Sequence, residues 1–198
     1  MLAYIQGNIT HKSPTHVIVE SGGLGYMVNV SLNTFAKIQQ QSSCKLHTYL
    51  HIGGSLQGPM TLQLFGFFDE AEREIFLMLL SVSGVGVATV RMILSSSSAE
   101  EIQRAILSEN VKLLESIKGI GPKTAKRIIL ELKDKIGRGM TLSSTTAAVG
   151  GNAREEAISA LVMLGFTRLQ ADSAVNRVAT SKDNWTAEEL IKQSLKAM

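Results

Sequence analysis

A single cysteine, Cys44, stands in 198 residues, which excludes an internal disulfide framework and a cysteine-built zinc site. No apolar run approaches the roughly 20 residues that a bilayer-crossing helix needs; the longest, Ile75 to Leu80, suits a buried helix. The first residues lack the basic-then-apolar order of a secretory signal, so a cytoplasmic protein is expected. A Gly-x-x-x-x-Gly-Lys-Ser/Thr loop is missing, and with it the usual cradle for a nucleotide's phosphates. Acid is missing from a whole region, since no Asp or Glu lies between Ser21 and Phe68. Aromatics are scarce, at 5% of the chain. Those in the first third (Tyr4, Tyr26, Phe35, Tyr49, Phe65, Phe67 and Phe68) mostly fall at core positions, which argues against a surface that stacks single-stranded bases.

What is present is enough apolar material, 44% of residues, to build a core, which excludes global disorder. The length allows one large domain or two to three small ones. A net charge of +3 says little about partners, but its distribution says more. Residues 81–138 carry ten basic and six acidic side chains, residues 1–68 only three and one, and residues 151–198 balance at six and six. The stretch 69–80 is acidic, with Asp69, Glu70, Glu72 and Glu74 against Arg73. The positive excess sits in the middle of the chain.

Residues 1–66 read as β. Tyr4–Ile9 and His16–Glu20 are rich in β-branched residues, Ser21-Gly22-Gly23 is a turn, and Tyr26, Val28 and Val30 alternate with Met27 and Asn29. Leu46, Thr48, Leu50 and Ile52 share one face of a fourth strand, and Thr61–Phe67 makes a fifth. Five short strands in so small a segment predict an OB-fold barrel. Residues 67–138 are helical. Ile75, Leu79 and Val82 share a face, Val87–Leu94 forms a second helical pattern, and Ser98-Ala99-Glu100-Glu101 is a capping box. Val111–Ile117 comes next, then Pro122 at a first helical position. Ala125, Ile128, Ile129, Leu132 and Ile136 form the stripe of the last helix. Residues 139–150 carry no charge at all from Gly139 on and read as a flexible linker. Residues 151–198 hold three short helical patterns. The first stops at Gly165, a C-cap signal, and capping boxes at Thr167–Gln170 and Thr186–Glu189 open the other two. Small, neutral and tethered, this UBA-like three-helix bundle suits partner binding. The fold class is α+β and multidomain.

One phrase occurs twice. Val82-Ser83-Gly84-Val85-Gly86-Val87 returns as Ile117-Lys118-Gly119-Ile120-Gly121-Pro122, each time between two helical patterns. Paired glycines allow a tight hairpin, and the apolar residue between them can plug into the packing of the flanking helices. The hairpin's N–H groups then face outward at a helix start, where an anion is favoured. A lone phrase of this kind is more often only a turn, but two with the same flanks point to a nucleic-acid backbone held at two places. Candidate contacts are Gly84, Val85, Gly86 and Arg91 at the first hairpin. At the second they are Lys118, Gly119, Ile120, Gly121, Lys123, Lys126 and Arg127. Lys123 and Arg127, four apart, can face one phosphate track. Such contacts position a backbone without reading bases.

The order of barrel, tandem helix-hairpin-helix, polar linker and helical tail resembles the RuvA family of Holliday-junction-binding proteins over the whole chain. The resemblance is carried by Gly7, Gly22-Gly23-Leu24-Gly25-Tyr26, Phe65-Gly66-Phe67, the two hairpin phrases, and Ala160-Leu161-Val162-Met163-Leu164-Gly165-Phe166. It implies a homotetramer that holds a four-way DNA junction open and square, each subunit gripping one arm. An octamer, with a second tetramer on the other face, is left open. Residues 151–198 would dock the hexameric ATPase RuvB, which drives branch migration in recombination and repair, and RuvC resolvase is a further partner the resemblance allows. No cofactor is implied, since ATP is used by RuvB. No membrane role is implied.

Two departures from the family's pattern stand out. Its first hairpin commonly continues Pro-Lys, whereas Val87-Ala88 stands here, with Arg91 as a substitute one turn later. Its barrel carries a loop of adjacent acids at the junction centre, whereas the corresponding stretch here is Gly53 to Met60, and Gly58, Pro59 and Met60 offer no charge. An enzyme of the glycosylase or nuclease type is disfavoured: Glu131 and Asp134 sit beside Lys133 and Lys135 as solvated pairs. His47 and His51, four residues apart on a strand, stand over ~12 Å apart, too far to share a metal. No catalytic or metal-ligating residue is assigned. A generic or single-strand helix-hairpin-helix binder is the rival reading.

Overall fold

The computed structural model describes residues 2–54, 60–143, 153–179 and 185–197, with side chains placed in all of these except 138–143. Contacts divide the chain into two compact units, Met1–Gly139 and Met140–Met198.

The first unit begins with a barrel. Strands β1 (Tyr4–Ser13), β2 (His16–Ser21), β3 (Leu24–Asn29), β4 (Ser43–Gly53) and β5 (Thr61–Phe67) close in the order β1-β2-β3-β5-β4. Only β3 and β5 run parallel, pairing Val28 with Leu64 and Asn29 with Phe65. Val17, Val19, Val28 and Leu46 are fully buried inside, as alternation on a half-buried strand requires. Gly66 makes room for this closure: a Cβ there would lie 2.4 Å from Val28 Cγ1.

The sequence pattern predicts no helix between the third and fourth strands, but the structure has α1 (Leu32–Ile38). Its signal is the Ser31 N-cap, whose hydroxyl accepts from the Thr34 N–H at 3.0 Å. At seven residues the helix is too short for hydrophobic periodicity to reveal. It ties the barrel to the helices beyond it. Asn33 Nδ2 donates to the Leu94 and Ser97 carbonyls at 2.7 and 2.9 Å. Ser31 and Thr34 donate their hydroxyls to the buried Glu72 carboxylate, Thr34 at 2.7 Å.

The helical part comprises α2 (Glu70–Leu80), α3 (Val87–Ser96), α4 (Ala99–Leu107), α5 (Val111–Glu115) and α6 (Pro122–Ser143). The capping box at Ser98 and Glu101 forms with both hydrogen bonds in place. The barrel and these helices are one unit because β5 alternates. Leu64 and Gly66 face the barrel interior, whereas Phe65 and Phe67 meet Phe76 of α2, with ring centroids 5.2 and 4.9 Å apart. Such tilted aromatic contacts make a strong apolar joint. Helix α6 continues to Ser143, past residue 139 where the linker is expected to begin; it contains no proline after Pro122 to stop it. The remainder of that expected linker, residues 144–150, lies outside the described residues.

In the second unit, α7 (Ala153–Met163), α8 (Arg168–Ala179) and α9 (Ala187–Lys196) form a bundle around Ala157, Leu161, Ala171, Val175 and Leu190. Gly165 at φ 102° ends α7, with Phe166 N–H donating to the Leu161 carbonyl and Gly165 N–H to that of Val162, a Schellman closure. Phe166 packs against this small core. No described helix is long and apolar enough to cross a membrane.

Candidate nucleic-acid interface

The two glycine phrases fold alike, bond for bond, 35 positions apart. In the first, Val82 N–H donates to Leu79 O, Val85 N–H to Val82 O, and Val90 N–H to Gly86 O. In the second, Ile117 donates to Leu114, Ile120 to Ile117, and Ala125 to Gly121. Gly84 and Gly119 hold the same turn at φ 83° and 94°, where a side chain would be strained. Val85 and Ile120 are both buried, 5% and 6% exposed, so each plugs its hairpin into the core.

In front of each hairpin a helix begins. Gly86 caps α3 without any side-chain hydrogen bond, which leaves first-turn N–H groups for another acceptor. A Cβ at Gly86 or Gly121 would meet nothing within 4 Å. Both helix starts are open to close approach, and both sit at the positive end of a helix dipole.

The cations are placed unequally. Lys118, Lys123 and Lys126 of the second hairpin are exposed; Lys126 lines a cleft with Glu109, Ile129, Leu130 and Lys133. The corresponding residues of the first hairpin are Ser83, Ala88 and Arg91. Arg91 is half-buried and donates from Nη1 to Asn29 Oδ1 of β3 at 3.2 Å, so it ties α3 to the barrel. Arg127, expected beside Lys123, instead donates from Nη1 to the Ser83 carbonyl of the first hairpin at 3.0 Å. Asn29 and Ser83 are the partners that sequence reasoning did not find. Both contacts cross more than forty positions in the chain, a separation that no local pattern reports.

Of the loop residues singled out, Met60 is 74% exposed, whereas Gly58 and Pro59 lie outside the described residues. Ile52 and Leu62 pair across the base of this loop, 59% and 69% exposed, so the apolar face of β4 runs on past the barrel interior. The barrel's aromatics mostly go inward or onto α2; Tyr4 stays 55% exposed beneath the Lys45 ammonium, 4.5 Å from its ring. In the tail unit, Met163, Leu164 and Leu169 stand 89%, 61% and 83% exposed. Among the described residues no three His, Cys, Asp or Glu side chains gather closely enough to hold a metal. His47 and His51 share the face of β4 that carries Tyr49, opposite Phe67 and Gln63 of β5.

A closed five-stranded barrel joined to two equivalent helix-hairpin-helix units defines a tandem helix-hairpin-helix DNA-binding protein. Comparison with known sequences takes this further. Residues 1–58 match the RuvA N terminal domain, residues 76–134 the SAM-like helix-hairpin-helix tandem, and residues 152–198 the RuvA C-terminal domain. A Cytophaga hutchinsonii protein named Holliday junction branch migration complex subunit RuvA is 43% identical over 202 residues, 99% of each chain. Proteins of the same name from Christiangramia forsetii and Bacteroides fragilis are 39% and 43% identical over the full length of each chain. The chain belongs to the RuvA family.

Proposed function

We propose that this chain binds four-way DNA junctions without regard to sequence, as a homotetramer that holds the four arms open and square. The duplicated hairpin carries this reading: two equivalent, open helix starts offer backbone amides to two phosphates of one arm. Amides and lysines attract every phosphate alike, so the DNA can slide while held. The chain is the non-catalytic subunit, and RuvB supplies the ATP-driven motion in recombination and repair. Residues 151–198 dock RuvB, with the exposed Met163, Leu164 and Leu169 as the apolar part of that surface. An octamer enclosing both faces of the junction and contact with RuvC are further assemblies of this reading.

A gel-shift titration tests it. An immobile four-way junction, a linear duplex and a single strand of equal length are compared at two salt concentrations. Tight binding to the junction that weakens steeply with salt is expected. Equal binding to all three reduces the hairpins to generic backbone grips, and preference for the single strand moves the binding face to the barrel.

A further inference from the structure

The two hairpins share one fold but not one charge. Each position that bears a lysine around the second hairpin, Lys118, Lys123 and Lys126, has Ser83, Ala88 or Arg91 in the first. Of these only Arg91 is charged, and its guanidinium is engaged by Asn29 of the barrel. The position matching Arg127 is Met92, 43% exposed. The first hairpin's own cation is thus held to β3 of the barrel, and among the described residues it makes no hydrogen bond to the hairpin turn.

We infer that Arg127 is the phosphate-binding cation of the first hairpin, supplied from the helix that begins at the second. Its Nη1 is 3.0 Å from the Ser83 carbonyl and 3.6 Å from where a Cβ on Gly84 would stand. The guanidinium therefore lies against the turn of the first hairpin. A guanidinium has five N–H donors, and among the described residues the Ser83 carbonyl is the one acceptor within hydrogen-bond reach of it. The remaining donors are available to an anion. A planar fork can hold a carbonyl on one edge and a phosphate on another, which a lysine ammonium does less well. The bond to Ser83 also pre-orders a long side chain that would otherwise lose rotamer freedom on binding.

The two hairpins thus form one continuous grip rather than two independent ones. Lys123, at the start of α6, serves the second hairpin, and Arg127, one turn further along, reaches back to the first. This assignment rests on the backbone-binding reading proposed above, so its test must separate the two.

Junctions carrying a single neutral methylphosphonate at successive positions along one arm provide that separation. The full-length wild-type protein is expected to lose affinity at two clusters of positions. Gly86→Asp and Gly121→Asp, at sites with room for a side chain, identify which cluster belongs to which hairpin by abolishing its sensitivity. Arg127→Met is expected to abolish the cluster that Gly86→Asp abolishes, with about a tenfold loss of affinity, and Lys123→Met to abolish the other. The slope of log affinity against log salt falls by about one for the loss of one phosphate contact; a change that only moved the hairpin would leave that slope intact. Arg127→Lys, which keeps the charge, restores the slope and part of the affinity, and a thermal melt matched to wild type excludes misfolding. Loss of the Gly121 cluster in Arg127→Met, or an unchanged salt slope, overturns the assignment while leaving backbone binding standing. Absence of any sensitive cluster in the wild type overturns both.

Discussion

Glycines two residues apart do different work, and substitution separates them. Gly119 sits at φ 94°, a region in which an L side chain is strained by roughly 1–2 kcal/mol. Gly121 lacks a positive φ and faces open space. Gly119→Ala is therefore expected to lower stability by about that amount in urea unfolding. Gly121→Ala should leave stability within about 0.5 kcal/mol and still weaken junction binding, because its methyl group stands where a phosphate must approach the amides. Equal effects on stability would show that the second glycine is also a backbone requirement. Glu72 tests a different force at the same scale. Burial raises its carboxyl above the ordinary range, and hydrogen bonds from Ser31 and Thr34 pull it partly back. The folded chain therefore keeps this proton to higher pH than the unfolded chain does. The stabilising contribution is complete below about pH 4.3 and is lost as pH rises through the folded value. Glu72→Gln removes that dependence, so wild type should lose stability relative to this variant as pH rises from below about 4.3 through the folded value. A constant difference across that range would show that Glu72 does not titrate there.

Elements were legible where local chemistry defines them. The alternation of Tyr26, Val28 and Val30, the boxes at Ser98, Thr167 and Thr186, and Pro122 at a helix start all mark what they form. The hairpins could be read because a turn that needs positive φ has few residue choices. What escaped was whatever depends on a distant partner. Helix α1 is held by its contacts to α2 and α3 more than by a pattern of its own, and nothing near Arg91 or Arg127 announces Asn29 or Ser83. Phe65 and Phe67 alternate with Leu64 and Gly66 as any strand would; that the outer face meets Phe76 appears only in three dimensions. That joint predicts that Phe76→Ala costs about 3–5 kcal/mol. Because Phe76 belongs to the helical core and touches the barrel through its ring, the variant should separate the melting of barrel and hairpins into two transitions. A single shifted transition would mean that the polar ties between the two, those of α1 together with Arg73 to Thr48 and Arg91 to Asn29, keep them coupled.

At the scale of the whole molecule, charge is divided by task. The excess of basic side chains lies around the hairpins, the tail is neutral in sum, and the barrel from Ser21 to Phe68 carries no acid. DNA binding should then depend on the first unit alone. Ending the chain after residue 150 is expected to leave junction affinity and its salt slope unchanged while abolishing stimulation of RuvB. A reduced slope would place tail cations on the DNA. That acid-free stretch has its own consequence. In a tetramer centred on the barrels, a loop without charge cannot repel phosphates at the junction's middle, so strand separation there falls to loop shape and to RuvB. Pro59→Glu combined with Met60→Asp adds two negative charges to every subunit of such a tetramer. Repulsion from those charges should lower junction affinity several-fold at low salt, an effect that fades as salt screens it, and should change the speed of RuvB-driven migration. If affinity and speed both stay as in wild type, the centre of the assembly is electrostatically indifferent, and the exposed ladder of Ile52, Met60 and Leu62 acts by shape alone.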